Sequence, residues 1–228
     1  MTTVLITGAN RGIGLELARQ YVAEGAEVIA CCRTPSSADA LKELAAASGN
    51  RVRIMQLDVA DETSIAALKG QLDDQPIDIL INNAGISGLS ADRIDAEGWM
   101  TTLRVNALGP MLISQALHES LKRSKEKKLV ALTSIMGSTS TATGGRYAYR
   151  ASKAALNNGM RGLSREWACD GILVGLLNPG WVQTEMVSGQ TAYISAGECA
   201  RELIRRIAEL TPATSGVFQD YRGVVIRW

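Results

Sequence analysis

The feature that most constrains this chain is an alternation of short apolar runs with longer amphipathic segments, repeated almost from end to end. Strands are expected over Val4–Thr7, Glu27–Cys32, Val52–Leu57, Ile77–Asn82, Leu129–Ser134 and Ile172–Leu177, with a last short one around Val224–Ile226. Between them the spacing predicts helices over Gly12–Glu24, Ala38–Ala47 and Glu62–Leu72, one or two within Ala96–Leu121, then Ala148–Cys169 and Ala196–Leu210. Unbroken runs such as Ile172-Leu173-Val174 suit strands covered on both faces, as in a parallel sheet. Strands separated by helices of this length form βαβ crossovers. The expected fold class is therefore α/β, a doubly wound parallel sheet in a three-layer α/β/α arrangement. No repeat or Pro/Ser-rich linker interrupts the series, and 228 residues at 46% hydrophobic suffice for one sizeable core, so residues 1–228 read as a single domain.

Charge and cysteine usage exclude several function classes. A net charge of +1 provides no field toward nucleic acid or an acidic membrane. The basic run Lys122, Arg123, Lys125, Lys127 and Lys128 is broken by Glu126 and reads as a solvated helix end. Cys31, Cys32, Cys169 and Cys199 show no CxxC or Cys/His ligand spacing, and the single His118 has no ligand partner nearby in sequence, so no metal site is expected. Free thiols suit a reducing cytoplasm. The apolar runs are far shorter than the roughly 20 residues of a membrane span, and the start has no signal-peptide core; a soluble protein is expected.

The first strand runs into Thr7-Gly8-Ala9-Asn10-Arg11-Gly12-Ile13-Gly14 and then a helix. Glycines there let the backbone approach a pyrophosphate, and the helix N-terminus supplies free N–H groups and a positive dipole end. The same glycines could also serve a tight turn alone. Further on, Tyr149 and Lys153 stand four positions apart at the start of a helix, so their side chains share a face. A nearby ammonium favours a phenolate and should lower the tyrosine's ordinary value of about 10, making Tyr149 a usable proton donor or acceptor.

The spacing TGxxxGxG resembles the short-chain dehydrogenase/reductase family, a group with the Rossmann fold, and later motifs follow in that family's order. They are Asp58 within Leu57-Asp58-Val59, Asn82-Asn83-Ala84-Gly85, Asn106, Ser134, the Tyr149-xxx-Lys153 pair and Asn178-Pro179-Gly180. The resemblance covers essentially the whole chain. The Tyr147–Lys153 phrase, Pro179–Thr184 and the Gly216–Trp228 ending look like the sniffer and C-factor group of small carbonyl reductase-like members. Counted from Tyr147, Lys153 falls neither at the family's reductase spacing nor at the longer spacing of enoyl reductases, which leaves Tyr149 as the proton carrier. The Ser134-to-Tyr149 interval is slightly longer than usual, with the extra residues placed in the Ser138–Arg146 loop.

The resemblance implies an oxidoreductase moving a hydride between a nicotinamide cofactor and a carbonyl or alcohol. Tyr149 would be the general acid/base, and Lys153 would bind the nicotinamide ribose. Ser134 would orient the substrate oxygen, and Asn106 would hold a water linking Lys153 to solvent. The family's cofactor contacts fall on Gly8, Asn10, Arg11, Gly12, Ile13, Gly14, Arg33, Asp58, Val59, Asn83, Ala84, Gly85, Pro179, Gly180, Val182 and Thr184. Asp58 could equally be a turn or N-cap residue. Where NAD enzymes usually place an acid, this chain has Cys32 followed by Arg33, leaving room and charge for a 2′-phosphate, with Arg11 as a second cation. NADP(H) is therefore expected over NAD(H).

The stretch near 186–195 would form a short substrate loop, with Met136, Trp181, Met186 and Tyr193 as an apolar wall or as simple core. An apolar aldehyde, ketone or quinone is the expected substrate, and a homodimer or homotetramer the expected assembly. The alternative is a dinucleotide-binding signalling or regulatory protein of C-factor type with little catalysis.

Overall fold

The computed structural model describes residues 1–88, 94–187 and 193–228. Seven strands form one sheet: β1 (Thr3–Thr7), β2 (Glu27–Cys32), β3 (Val52–Gln56), β4 (Ile79–Asn82), β5 (Lys128–Leu132), β6 (Leu173–Asn178) and β7 (Phe218–Asp220). Their order is β3-β2-β1-β4-β5-β6-β7 and every pairing is parallel. The order reverses between β1 and β4, which pair Leu5 with Leu80 and Ile6 with Ile81. At such a switch point the flanking connections leave in opposite directions and open a crevice beyond the strand C-termini.

The helices are α1 (Gly12–Ala23), α2 (Asp39–Ala47), α3 (Glu62–Leu72), α4 (Ala96–Leu103), α5 (Gly109–Ala116), α6 (His118–Arg123), α7 (Tyr147–Glu166) and α8 (Ala196–Ala208). Successive strand side chains point to opposite faces, which is why the strands read as unbroken apolar runs. Val4 and Ile6 pack in one layer with Leu17 of α1, Leu41 of α2 and Leu203 of α8. Leu5 packs in the other with Leu68 of α3, Ile113 of α5 and Leu156 of α7. The expected α/β/α sandwich is what forms.

Local chemistry sets the helix starts. The Asp61 carboxylate accepts the Thr63 N–H at the start of α3, and Asp95 accepts from Gly98 at α4. Ser195 and Glu198 form a reciprocal capping box at α8. The segment expected to hold one or two helices holds three, and α4 passes into α5 through a π turn over Arg104–Leu108. The basic run ends α6, yet it is not merely solvated: Lys122 pairs with Asp170 at 2.8 Å, and the buried Lys128 with Glu126 at 2.9 Å. His118 also contacts Asp170, at 3.0 Å, and its ring leans on Trp167.

The last strand lies elsewhere than expected. Phe218 is buried and continues the sheet opposite Leu176, whereas Val224 and Val225 are 56% and 66% exposed. The Asp220 carboxylate accepts the N–H groups of Arg222 and Val224, and Gly223 takes φ +89°, so the chain doubles back. Val225 then meets Gln219 in a single antiparallel bridge instead of extending the sheet. Among the described residues no helix is long and apolar enough to cross a membrane.

Candidate active site

A cleft of about 440 Å³ opens at the switch point, beyond the C-terminal ends of β1 and β4. Its floor begins with the β1–α1 loop, where Gly8 and Gly12 take φ +64° and +55°. A Cβ on Gly8 would lie 2.9 Å from the Ala84 Cα, so only glycine lets this loop lie against the end of β4. Gly14 faces inward: a Cβ there would meet the Gly8 carbonyl oxygen at 2.4 Å. It packs the helix onto the loop and does not line the cleft. The α1 start has no side-chain cap, leaving its first N–H groups open to an anion.

The loop is tied to the end of β4 through Thr7, a residue given no role by the motifs. The Thr7 hydroxyl accepts the N–H groups of Asn83 and Ala84 at 3.1 and 3.0 Å. The Asn83 amide donates to the carbonyls of Thr7 and Gly8 at 2.8 and 3.0 Å. The signal for Thr7 was present, since it opens the glycine motif.

Of the expected cofactor residues, Gly8, Asn10, Arg11, Gly12, Ile13, Arg33, Asp58, Val59, Asn83, Ala84, Gly85, Pro179 and Thr184 line the cleft, as does Cys32. Asp58 serves both readings: it lines the cleft while its carboxylate accepts the Ala60 N–H at 2.9 Å. Gly180 and Val182 lie behind the lining: Gly180, at φ +82°, sits under the Tyr221 ring, and Val182 is buried and bridged to Ile194. A further lining residue, Glu185, was missed; its carboxylate receives a hydrogen bond from Arg11.

At the inner end, Tyr149 and Lys153 project from the first turns of α7 into the cleft. The Lys153 ammonium lies 5.9 Å from the Tyr149 ring centre and donates to the Leu132 carbonyl, the last of β5, at 2.9 Å. Burial pushes Lys153 down to about 8. Tyr149 differs from the expectation: burial of its hydroxyl holds it above the ordinary phenol value, only partly offset by the neighbouring Ser134 hydroxyl and the Arg146 cation. Four-residue spacing predicts proximity to a cation; desolvation wins over it here. Arg146, in the left-handed region at φ 48°, sets the start of α7 and is one turn from Tyr149.

Ser134 lies two residues past β5 rather than at its end, and caps a short 3-10 turn by accepting the Met136 N–H at 3.2 Å. That turn packs against α7 at Gly137, where a Cβ would fall 2.8 Å from the Lys153 carbonyl carbon. Asn106 sits in the π turn and is fully buried. Its Oδ1 accepts the Ile86 N–H at 2.8 Å, while Nδ2 donates to the Ile86 carbonyl at 2.8 Å and to the Ser152 hydroxyl at 3.1 Å. Both amide hydrogens are thus used within the protein.

The four apolar-wall candidates separate. Met186 lines the cleft, while Met136 and Trp181 are half-buried outside its lining and Tyr193 is 87% exposed. Within the expected loop near 186–195, residues 188–192 lie outside the described residues. Tyr147, set aside in the sequence reading, is 46% exposed and does not line the cleft.

A parallel sheet with this strand order, a glycine loop beneath an uncapped helix and a cleft at the switch point define a doubly wound α/β protein of the Rossmann class. The short chain dehydrogenase family model matches residues 2–193, and the chain belongs to that family of oxidoreductases. The C-signal protein of Myxococcus xanthus is 42% identical over 156 residues, covering 67% of this chain and 93% of that relative. The carbonyl reductase Sniffer of D. melanogaster superposes with a TM-score of 0.88 at 29% identity, covering 100% of both chains. An NADPH-bound carbonyl reductase from chicken fatty liver gives 0.91 at 31% identity, covering 100% of this chain and 99% of that one. The sniffer and C-factor resemblance read from the motifs agrees with these relatives.

Proposed function

We propose that this protein is an NADP(H)-dependent carbonyl reductase, with an apolar aldehyde, ketone or quinone as substrate. The observation that carries the reading is one cleft that joins the Tyr149–Lys153 pair to the glycine loop and to Cys32 and Arg33. The cradle fits a dinucleotide: positive-φ glycines bring the backbone close, and an uncapped helix start faces the phosphates. Gly8, Asn10, Gly12, Ile13, Asp58, Val59, Asn83, Ala84, Gly85, Pro179 and Thr184 would hold it. Cys32 is small and uncharged where an acid would repel a 2′-phosphate, and Arg33 and Arg11 supply the cations. When bound, the nicotinamide supplies or accepts the hydride.

The chain's own residues do the rest. The Tyr149 hydroxyl donates its proton to the carbonyl oxygen in reduction and takes it back in oxidation. Burial holds the Tyr149 phenol above its ordinary value, so at neutral pH it carries the proton that reduction consumes. Lys153 keeps a cation beside the phenolate that forms, and Ser134 orients the carbonyl oxygen. Asn106 fixes the floor through Ile86 and Ser152. Residues 1–228 would act as one domain with a substrate loop near 186–195, as a cytoplasmic homodimer or homotetramer without nucleic-acid or membrane partners.

The test is a carbonyl panel with NADPH and NADH in parallel, repeated with Tyr149→Phe. Turnover with NADPH that the variant abolishes, with cofactor binding kept, is the expected result. Retained activity in Tyr149→Phe would sink the mechanism, and equal use of both coenzymes would sink the NADP(H) preference. The likeness to C-signal sustains the signalling alternative, which tight NADPH binding without turnover of any carbonyl would favour.

A further inference from the structure

Arg11, one of the two cations assigned above to a 2′-phosphate, is already engaged. Its guanidinium donates to the Glu185 carboxylate, and both residues line the mouth of the cleft. The pair joins two separate segments. Arg11 is the residue before α1 on the glycine loop, and Glu185 opens a short 3-10 turn after β6. The segments touch next to it, since a Cβ on Gly12 would lie 3.4 Å from the Thr184 methyl group. Glu185 is therefore delivered to Arg11 by the packing of Thr184 on the loop.

Both side chains are largely exposed, at 63% and 70%. An ion pair in that setting is weak and easily exchanged. A phosphate carries more charge and more acceptor oxygens than a carboxylate and suits a guanidinium better. Arg33, on the same cleft, has no ion-pair partner among the described residues and is free to meet an incoming phosphate first.

We propose that Glu185 is a competing counter-charge, which holds Arg11 until the cofactor's 2′-phosphate displaces it and reclaims Arg11 when the cofactor leaves. Affinity for the phosphorylated coenzyme is thereby lowered and its release made faster. The displaced carboxylate stays beside a polyanion, so it opposes the bound state as well as stabilising the free one. The inference rests on the NADP(H) reading of Arg11.

Fluorescence titration with NADPH and with NADH, on wild type, Glu185→Gln, Arg11→Gln and the double variant, tests it. Glu185→Gln should bind NADPH about two- to fivefold more tightly, the range of an exposed pair, with NADH affinity unchanged. Stopped-flow displacement should show NADPH leaving more slowly, and the gain should vanish in the Arg11→Gln background. Unchanged or weaker NADPH binding in Glu185→Gln overturns the proposal, as does an equal gain for NADH or a gain that survives loss of Arg11. Failure of the underlying cofactor reading has its own signature: Arg11→Gln would leave the NADPH-to-NADH affinity ratio where it was.

Discussion

Replacing Lys153 by Met should change how stability responds to pH as well as ending turnover. The ammonium is buried at the inner end of the cleft and its pKa is pushed down to about 8 from 10.5 by loss of water. Between those two values the unfolded chain holds a proton that the folded chain does not, so this group makes stability rise with pH across that window. Below pH 8 both states are protonated and the full cost of the buried charge is present. At about 1.4 kcal/mol per pH unit, wild type should gain roughly 2–3 kcal/mol relative to Lys153→Met between pH 7 and pH 10. Other titrating groups are common to both proteins and cancel in the difference. Urea unfolding followed by tryptophan fluorescence at several pH values gives the two curves. Parallel curves would refute the reasoning, because they would mean that the ammonium is solvated in the folded protein. In wild type the same titration should cost activity above about pH 8, as the cation beside Tyr149 is lost.

Three further outcomes are expected. Arg146→Gln removes a cation that opposes the upward push on Tyr149, so the pH profile for alcohol oxidation should move to higher pH with little change in cofactor affinity; an unmoved profile excludes that role. Gly14→Ala places a methyl 2.4 Å from the Gly8 carbonyl oxygen and should cost about 1–3 kcal/mol in denaturant unfolding, with dinucleotide binding impaired; wild-type stability would show that the helix slides freely over the loop. Cys32→Asp puts a carboxylate at the end of β2 beside Arg33 and should lower NADPH affinity more than tenfold against NADH, which paired titrations would read; an unchanged ratio would place the 2′-phosphate elsewhere.

The sheet was legible because each strand is covered on both sides, so its residues must be apolar in succession, and the helices between them carry one buried face. Tyr149 and Lys153 were legible because four residues is one helical turn. Their proton affinities were not, since burial is a property of the whole fold: the turn at Ser134–Gly137 and the end of β5 close over them from distant sequence. The last strand was misplaced because Val224-Val225-Ile226 has the right composition, while the Asp220–Gly223 turn that removes it from the sheet acts through carboxylate hydrogen bonds. Glu185 meets Arg11 across 174 positions and left no local trace.

The two-point grip of Asn106 on Ile86 has a consequence of its own. Donating to the carbonyl and accepting from the N–H of a single residue is what a neighbouring strand does in an antiparallel ladder. The carboxamide thus acts as one rung of a sheet lent by a helix, and it is supplied from within the π turn. Aspartate would keep the shape but lose both donors, and glutamine would overshoot by a methylene. A substitution at 106 would therefore unfasten the segment after β4 before it touched any water chain, so lost activity there would report on architecture first and proton transfer second.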